Sequence, residues 1–126
     1  MSILKFNPKA EAIVLDVELE GKIILHTRLV VDTGASLVVI PWRIATALNL
    51  KIDPENLIRT TTVSAVESSP LTLISKMTTL GKTAENVLCL VKDLPSEAGV
   101  DGLLGLSFLR HFELSLDFKK GILKLE

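Results

Sequence analysis

Asp32, Thr33 and Gly34 are the residues in this chain most able to do chemistry. They follow the apolar run Leu29-Val30-Val31, and after Ala35-Ser36 the chain turns apolar again through Leu37-Val38-Val39-Ile40. A buried strand therefore delivers one carboxylate to a Thr-Gly turn and returns to the core. Asp is disfavoured inside strands and costly to bury unpaired, so its position needs a reason. Ordinary turn chemistry is one, because Asp accepts local backbone N–H groups. Activation of a water molecule by a positioned carboxylate is another. The remaining candidates offer less. Asp101, within Val100-Asp101-Gly102, reads as a turn residue rather than a second acid. His26 and His111 have no Cys or His at ligand spacing, so no metal is expected and no cofactor is called for. Cys89 reads as a small buried hydrophobe and Trp42 as part of the core.

The elements that must position Asp32 follow from period and punctuation. Residues 12–19, alternating in their C-terminal half, read as a half-buried strand, Glu20-Gly21-Lys22 makes a tight turn, and residues 23–31 form the second arm of an antiparallel hairpin ending at Asp32. Pro41 fits the first position of a helix over residues 42–50, with Trp42, Ala45 and Leu48 on one face and Asn49 at its exit. Residues 58–66 and 71–80 are rich in strand formers, and the polar segment Glu67-Ser68-Ser69-Pro70 joins them as a hairpin tip. Residues 86–91 form another strand and residues 106–112 a short helix. Residues 114–118 alternate, and Lys119-Lys120-Gly121 turns them into a last strand over 122–126. Both terminal segments, if strands, pair within the subunit or interleave with those of a second copy. Many short strands with one or two short helices indicate an all-β closed or sandwiched fold.

The segment Leu29-Val30-Val31-Asp32-Thr33-Gly34-Ala35-Ser36 resembles the active-site signature of aspartic proteases, in the form used by the single-domain, retropepsin-like branch. Val100-Asp101-Gly102-Leu103-Leu104-Gly105-Leu106-Ser107-Phe108-Leu109 is similar to that clan's downstream motif, in which two apolar residues and a Gly precede a short helix. The resemblance implies an acid-protease closed β barrel carrying a flap hairpin, all within one domain over residues 1–126. It also implies catalytic Asp32, with Thr33 and Gly34 shaping the loop. Substrate would be bound by Ala35, by Ser64, Ala65, Val66 and Glu67 of the flap, and by Leu104 and Gly105 of the motif packed against the loop. Such flaps often carry Gly at the tip, and this one has none. Aspartic proteolysis needs two carboxylates sharing a proton, and this chain supplies the motif once. The expected enzyme is therefore a homodimer hydrolysing peptide bonds in a peptide or unfolded protein. Ala35 withholds a hydroxyl donor that acid-acting relatives often place beside the catalytic acid, which favours a mildly acidic to neutral optimum. The competing reading is a peptide- or protein-binding module on the same scaffold that cuts nothing.

Composition bounds these readings. The chain has 126 residues, 48% of them hydrophobic, and a net charge of -1, which suits a folded domain and suggests neither nucleic acid nor an anionic membrane as partner. No apolar run approaches the roughly 20 residues of a membrane span. Residues 1–8 lack the apolar core of a secretory signal, and the single cysteine permits no internal disulfide, so a cytoplasmic location is expected.

Overall fold

The computed structural model describes residues 2–61 and 66–126. Most of the described chain is strand: β1 (Ile3–Lys5), β2 (Val14–Glu20), β3 (Ile24–Val31), β4 (Val38–Ile40), β5 (Leu57–Thr61), β6 (Val66–Thr79), β7 (Lys82–Val91), β8 (Gly102–Leu104), β9 (Leu114–Asp117) and β10 (Ile122–Leu125). Two short helices, α1 (Trp42–Ala47) and α2 (Leu106–Leu109), and a 3-10 turn at Ser96–Ala98 complete it. Among the described residues no helix is long and apolar enough to cross a membrane.

Six strands close on themselves in the order β2-β3-β8-β4-β7-β6, and β6 returns to β2 through Glu18↔Thr78, Leu19↔Met77 and Glu20↔Lys76. This is the expected closed barrel. Alternation builds it: Leu15, Val17 and Leu19 of β2 are buried while Asp16 and Glu18 face out, as a strand with one wet face requires. Buried polar groups are paired at the seams. Thr27 Oγ1 donates to the Val17 carbonyl and Thr79 Oγ1 to the Asp16 carbonyl, so hydroxyls inside the barrel carry no unsatisfied donor. The β2–β3 hairpin is connected by residues 21–23. Its Gly21 packs so tightly on the turn after α1 that a Cβ would stand 2.6 Å from the Leu48 carbonyl oxygen.

A second, three-stranded sheet has the order β1-β10-β9. It pairs the two terminal segments within one chain (Leu4↔Leu123) rather than leaving them for another copy. Leu123 and Leu125 of β10 join the same apolar cluster as the barrel strands.

Several elements depart from their sequence-based bounds. Glu67-Ser68-Ser69-Pro70 is not a hairpin tip. These residues run in register along β6 opposite β5 (Thr60↔Glu67, Leu57↔Pro70). Turn-forming residues are drawn into the strand by this cross-strand pairing. Pro70 is tolerated because only β5 pairs with β6 there, and the ladder to β7 begins at Leu71. β5 ends at Thr61 and β6 starts at Val66, and the four residues between them lie outside the described residues. β7 begins at Lys82 rather than residue 86, because Leu80 (φ 50) and Gly81 (φ 75) make a two-residue turn joining Thr79 to Lys82. Helix α1 stops at Ala47. Asn49 sits at φ 53 just beyond it, a conformation Asn tolerates. The buried face of α1 carries Ile44, Ala45 and then Leu48, which leaves Trp42 45% exposed instead of in the core. Helix α2 is one turn long, followed by turns over residues 110–112.

Cys89 is a core residue as expected, fully buried on β7. Burial pushes its thiol far above the ordinary value of 9.0. The folded chain then keeps a proton that the unfolded chain releases, so the stabilisation this thiol provides is complete below about pH 9 and is lost as pH rises further. Urea unfolding of the parent and Cys89→Ala at pH 7 to 10 should show the parent's advantage shrinking only above about pH 9, by at most about 1.4 kcal/mol per pH unit. An advantage that is constant across this range contradicts the assignment.

Candidate active site

β3 and β8 run parallel, in register at Leu29↔Gly102, Val30↔Leu103 and Val31↔Leu104. Both strands end at the same height, and the loops that follow them meet. The Asp32 N–H donates to the Leu104 carbonyl at 3.1 Å, which extends the ladder by one bond past Val31. The chain then reverses. The Ala35 N–H donates to the Asp32 carbonyl at 3.2 Å, and the Gly34 N–H donates to Asp32 Oδ1 at 2.9 Å. Asp32 therefore does make the turn contacts its type allows, and its half-buried carboxylate is oriented by the loop it starts. Thr33 and Gly34 are exposed at the tip. A Cβ at Gly34 would press to 3.2 Å from Asp32 Oδ1.

The downstream motif locks this loop from behind. The Leu106 N–H donates to the Ala35 carbonyl at 2.8 Å and the Ser107 N–H to the Ser36 carbonyl at 3.0 Å. Gly105 is obligatory here, since a Cβ would collide with the Leu37 carbonyl and stand 2.7 Å from that of Ala35. The two sequence motifs, far apart in the chain, are thus one hydrogen-bonded unit. Leu104 and Gly105 are buried, so they brace the loop from behind and do not sit on its open side. Leu103, which points the other way from Leu104, is only half-buried.

One member of this unit carried no functional signal in the sequence. Ser107 is buried on α2, and its Oγ accepts the Val38 N–H at 2.8 Å while donating to the Leu88 carbonyl at 2.7 Å. One hydroxyl thereby ties the start of β4 to β7 directly beneath the Asp32 loop. Serine after an apolar-Gly segment is too common to stand out; only the fold shows its two partners.

Other sequence candidates fall elsewhere. Asp101 does more than turn the chain. Its Oδ2 accepts the Arg28 N–H at 2.8 Å, and its other oxygen pairs with the Arg43 guanidinium. It ties the start of β8 to β3 and α1 and is not a second acid beside Asp32. His26 is exposed beside Glu18 at 3.6 Å, and His111 is exposed after α2. Of the expected flap contacts, Ser64 and Ala65 lie outside the described residues. Val66 and Glu67 begin β6, with their backbones opposite Thr61 and Thr60. Thr33 borders an apolar hollow of about 300 Å³ shared with Phe6, Ile13, Val30 and Phe118, and Phe118 is 64% exposed there.

Comparison with known proteins bears directly on this geometry. A family model described as aspartyl protease matches residues 15–108, a span that contains the Asp32 motif and all but the last residue of the downstream one. No curated protein sequence matches the chain. The crystal structure of a retropepsin-like aspartic protease from Rickettsia conorii is similar in fold, with a TM-score of 0.68 and 22% identity over 98% of this chain and 87% of that one. At that identity the likeness speaks for the barrel architecture.

Ser107→Ala removes one hydroxyl and strands the buried Val38 N–H and the part-buried Leu88 carbonyl. The expected loss is about 2 kcal/mol of unfolding free energy, read from the urea midpoint. A loss below about 0.5 kcal/mol would show that the hydroxyl is not a tie between α2, β4 and β7.

Proposed function

The chain belongs to the aspartyl protease family, and from that premise we propose that it is an endopeptidase whose catalytic centre is completed by a second copy of itself. One observation carries the reading: a single Asp at the end of β3, oriented by Gly34 and braced by the β8–α2 motif. Each chain contributes one such acid. A two-fold axis passing beside the loop would set two Asp32 carboxylates against one water molecule. Two like charges so close cannot both persist, so the pair shares one proton. The ionised carboxylate takes a proton from the water as its oxygen attacks the scissile carbonyl carbon. The protonated carboxyl donates to the carbonyl oxygen, and the resulting tetrahedral adduct collapses when its nitrogen is protonated and leaves. Oriented acids held in a preformed loop supply this chemistry without a metal.

The remaining roles follow from position. Thr33, exposed beside Asp32, would hold the two loops together across the axis. The apolar hollow at Thr33 and the exposed Phe118 support a partner seated on this side of the chain. An extended peptide would lie over Asp32 and Ala35, making strand-like hydrogen bonds. Ser64, Ala65, Val66 and Glu67 are the proposed flap contacts to that peptide. The 126 residues would act as one catalytic domain, in a reducing compartment such as the cytoplasm, where a lone buried thiol is unexceptional.

Incubation of the parent and Asp32→Asn with a denatured protein mixture tests the reading, with and without a peptide inhibitor that mimics the tetrahedral adduct. Cleavage should be abolished in the variant and in the inhibited parent. Equal cleavage by parent and variant contradicts it. Because Ala35 brings no hydroxyl to the acid, the parent's rate should be greatest at mildly acidic to neutral pH. An optimum below about pH 3, the regime between the two dyad values of pepsin, contradicts that step.

A further inference from the structure

Alternation along β3 sorts its residues into two faces. Thr27 and Leu29 are buried in the barrel, whereas His26, Arg28 and Val30 lie on the other face. Asp32 follows two residues beyond Val30, on the same parity. On β8, Leu103 stands opposite Val30, and the Asp101 N–H donates to the Arg28 carbonyl at 2.8 Å. One outward face therefore runs from Arg28 and Asp101, across half-buried Val30 and Leu103, to Asp32. At about 3.3 Å per residue the far end lies about 13 Å from the acid.

That far end opens into a cleft of about 510 Å³ whose walls include Arg28, Trp42, Arg43, Asp93, Pro95 and Asp101. Its charges do not all cancel. Arg43 is paired with Asp101, and Asp93 Oδ1 accepts the Trp42 backbone N–H at 3.0 Å. The Arg28 guanidinium has no hydrogen-bond or ion-pair partner among the described residues. A free planar fork of donors beside an exposed indole suits a carboxylate carried on a short apolar stem. The two aspartates nearby disfavour a doubly charged group such as phosphate, so a single side-chain carboxylate is the fitting ligand.

Resting on the protease reading above, we infer that this cleft is a distal substrate subsite selecting Glu or Asp about four residues from the scissile bond. Arg28 is the selecting residue, and Trp42 packs against the side chain's stem. An extended peptide advances at the same pitch as β3, so a chain lying over Asp32 and along this face brings that residue to Arg28. The residues between would rest on Leu103, with Val30 bordering the hollow assigned above to the partner, which favours apolar side chains nearer the bond.

Trp42 is the chain's single tryptophan, so its emission reports occupancy of the cleft whether or not a bond is cut. The probes are extended peptides with an apolar centre and one Glu, moved a position at a time outward in either direction, each with its Gln counterpart. Titrated into Asp32→Asn, the Glu peptide should perturb Trp42 at about tenfold lower concentration than the Gln peptide when Glu lies about four residues out. In the parent, kcat/KM should show the same ratio. Arg28→Ala should bring the ratio to about one, and Arg28→Glu should reverse the preference toward Lys at that position. No Glu preference at any position, or a preference that survives Arg28→Ala, overturns the inference. Cleavage without Glu selection leaves the protease reading standing and removes the subsite. Glu-selective changes in Trp42 emission with no cleavage by the parent support the acid-selecting cleft and overturn the protease reading.

Discussion

Two parallel strands that end side by side hold the candidate site together. β3 and β8 pair in register up to Val31 and Leu104, and the hydrogen bond from the Asp32 N–H to the Leu104 carbonyl carries that pairing into the loop. Parallel neighbours cannot be joined by a short turn, so the chain between them must travel the barrel before returning. It does so through β4, α1 and the β5–β6–β7 strands. The barrel's topology is thus the means by which Asp32 acquires its brace. Close backbone approach has its own requirement. Gly102 and Gly105 sit where a side chain would strike the carbonyls of Val39 and Leu37, so the sequence must be bare at both ends of β8.

A rigid brace matters because an acid on a loose loop would spend most of its time out of line with a substrate bond. Here the Asp32 N–H meets β8, the Ala35 and Ser36 carbonyls meet α2, and Ser107 ties that unit to β4 and β7. The open side of the loop is left to Thr33 and Gly34, both exposed. Exposed loop tips on a hydrogen-bonded scaffold are the usual way a β fold presents chemistry. One base with one acid is half of a two-acid mechanism, which is why symmetry enters the account.

Much of this was legible in the sequence because the relevant signals are local. The strand before Asp32, the turn after it, the Gly-bounded apolar pair at 102–105 and the exit of α1 at Asn49 all follow from residue type and period. The misreadings have a common cause. Glu67-Ser68-Ser69-Pro70 has the composition of a turn, yet it is strand because it pairs in register with β5. Trp42 has the spacing of a core residue, but α1 turns Ile44 and Ala45 inward instead. Ser107 and the Arg43–Asp101 pair depend on partners tens of residues away. Non-local contacts choose among local options that propensity leaves nearly equal.

The central claim is that two copies of Asp32 act in one site, and subunit mixing tests it most directly. Parent and Asp32→Asn are combined in equal amounts at a fixed total concentration high enough for dimers, allowed to exchange, and assayed on one peptide. If both acids are needed, only parent–parent dimers cut, and activity falls to about one quarter of that of undiluted parent. Activity of about one half means that each chain works alone, and the shared-centre account fails.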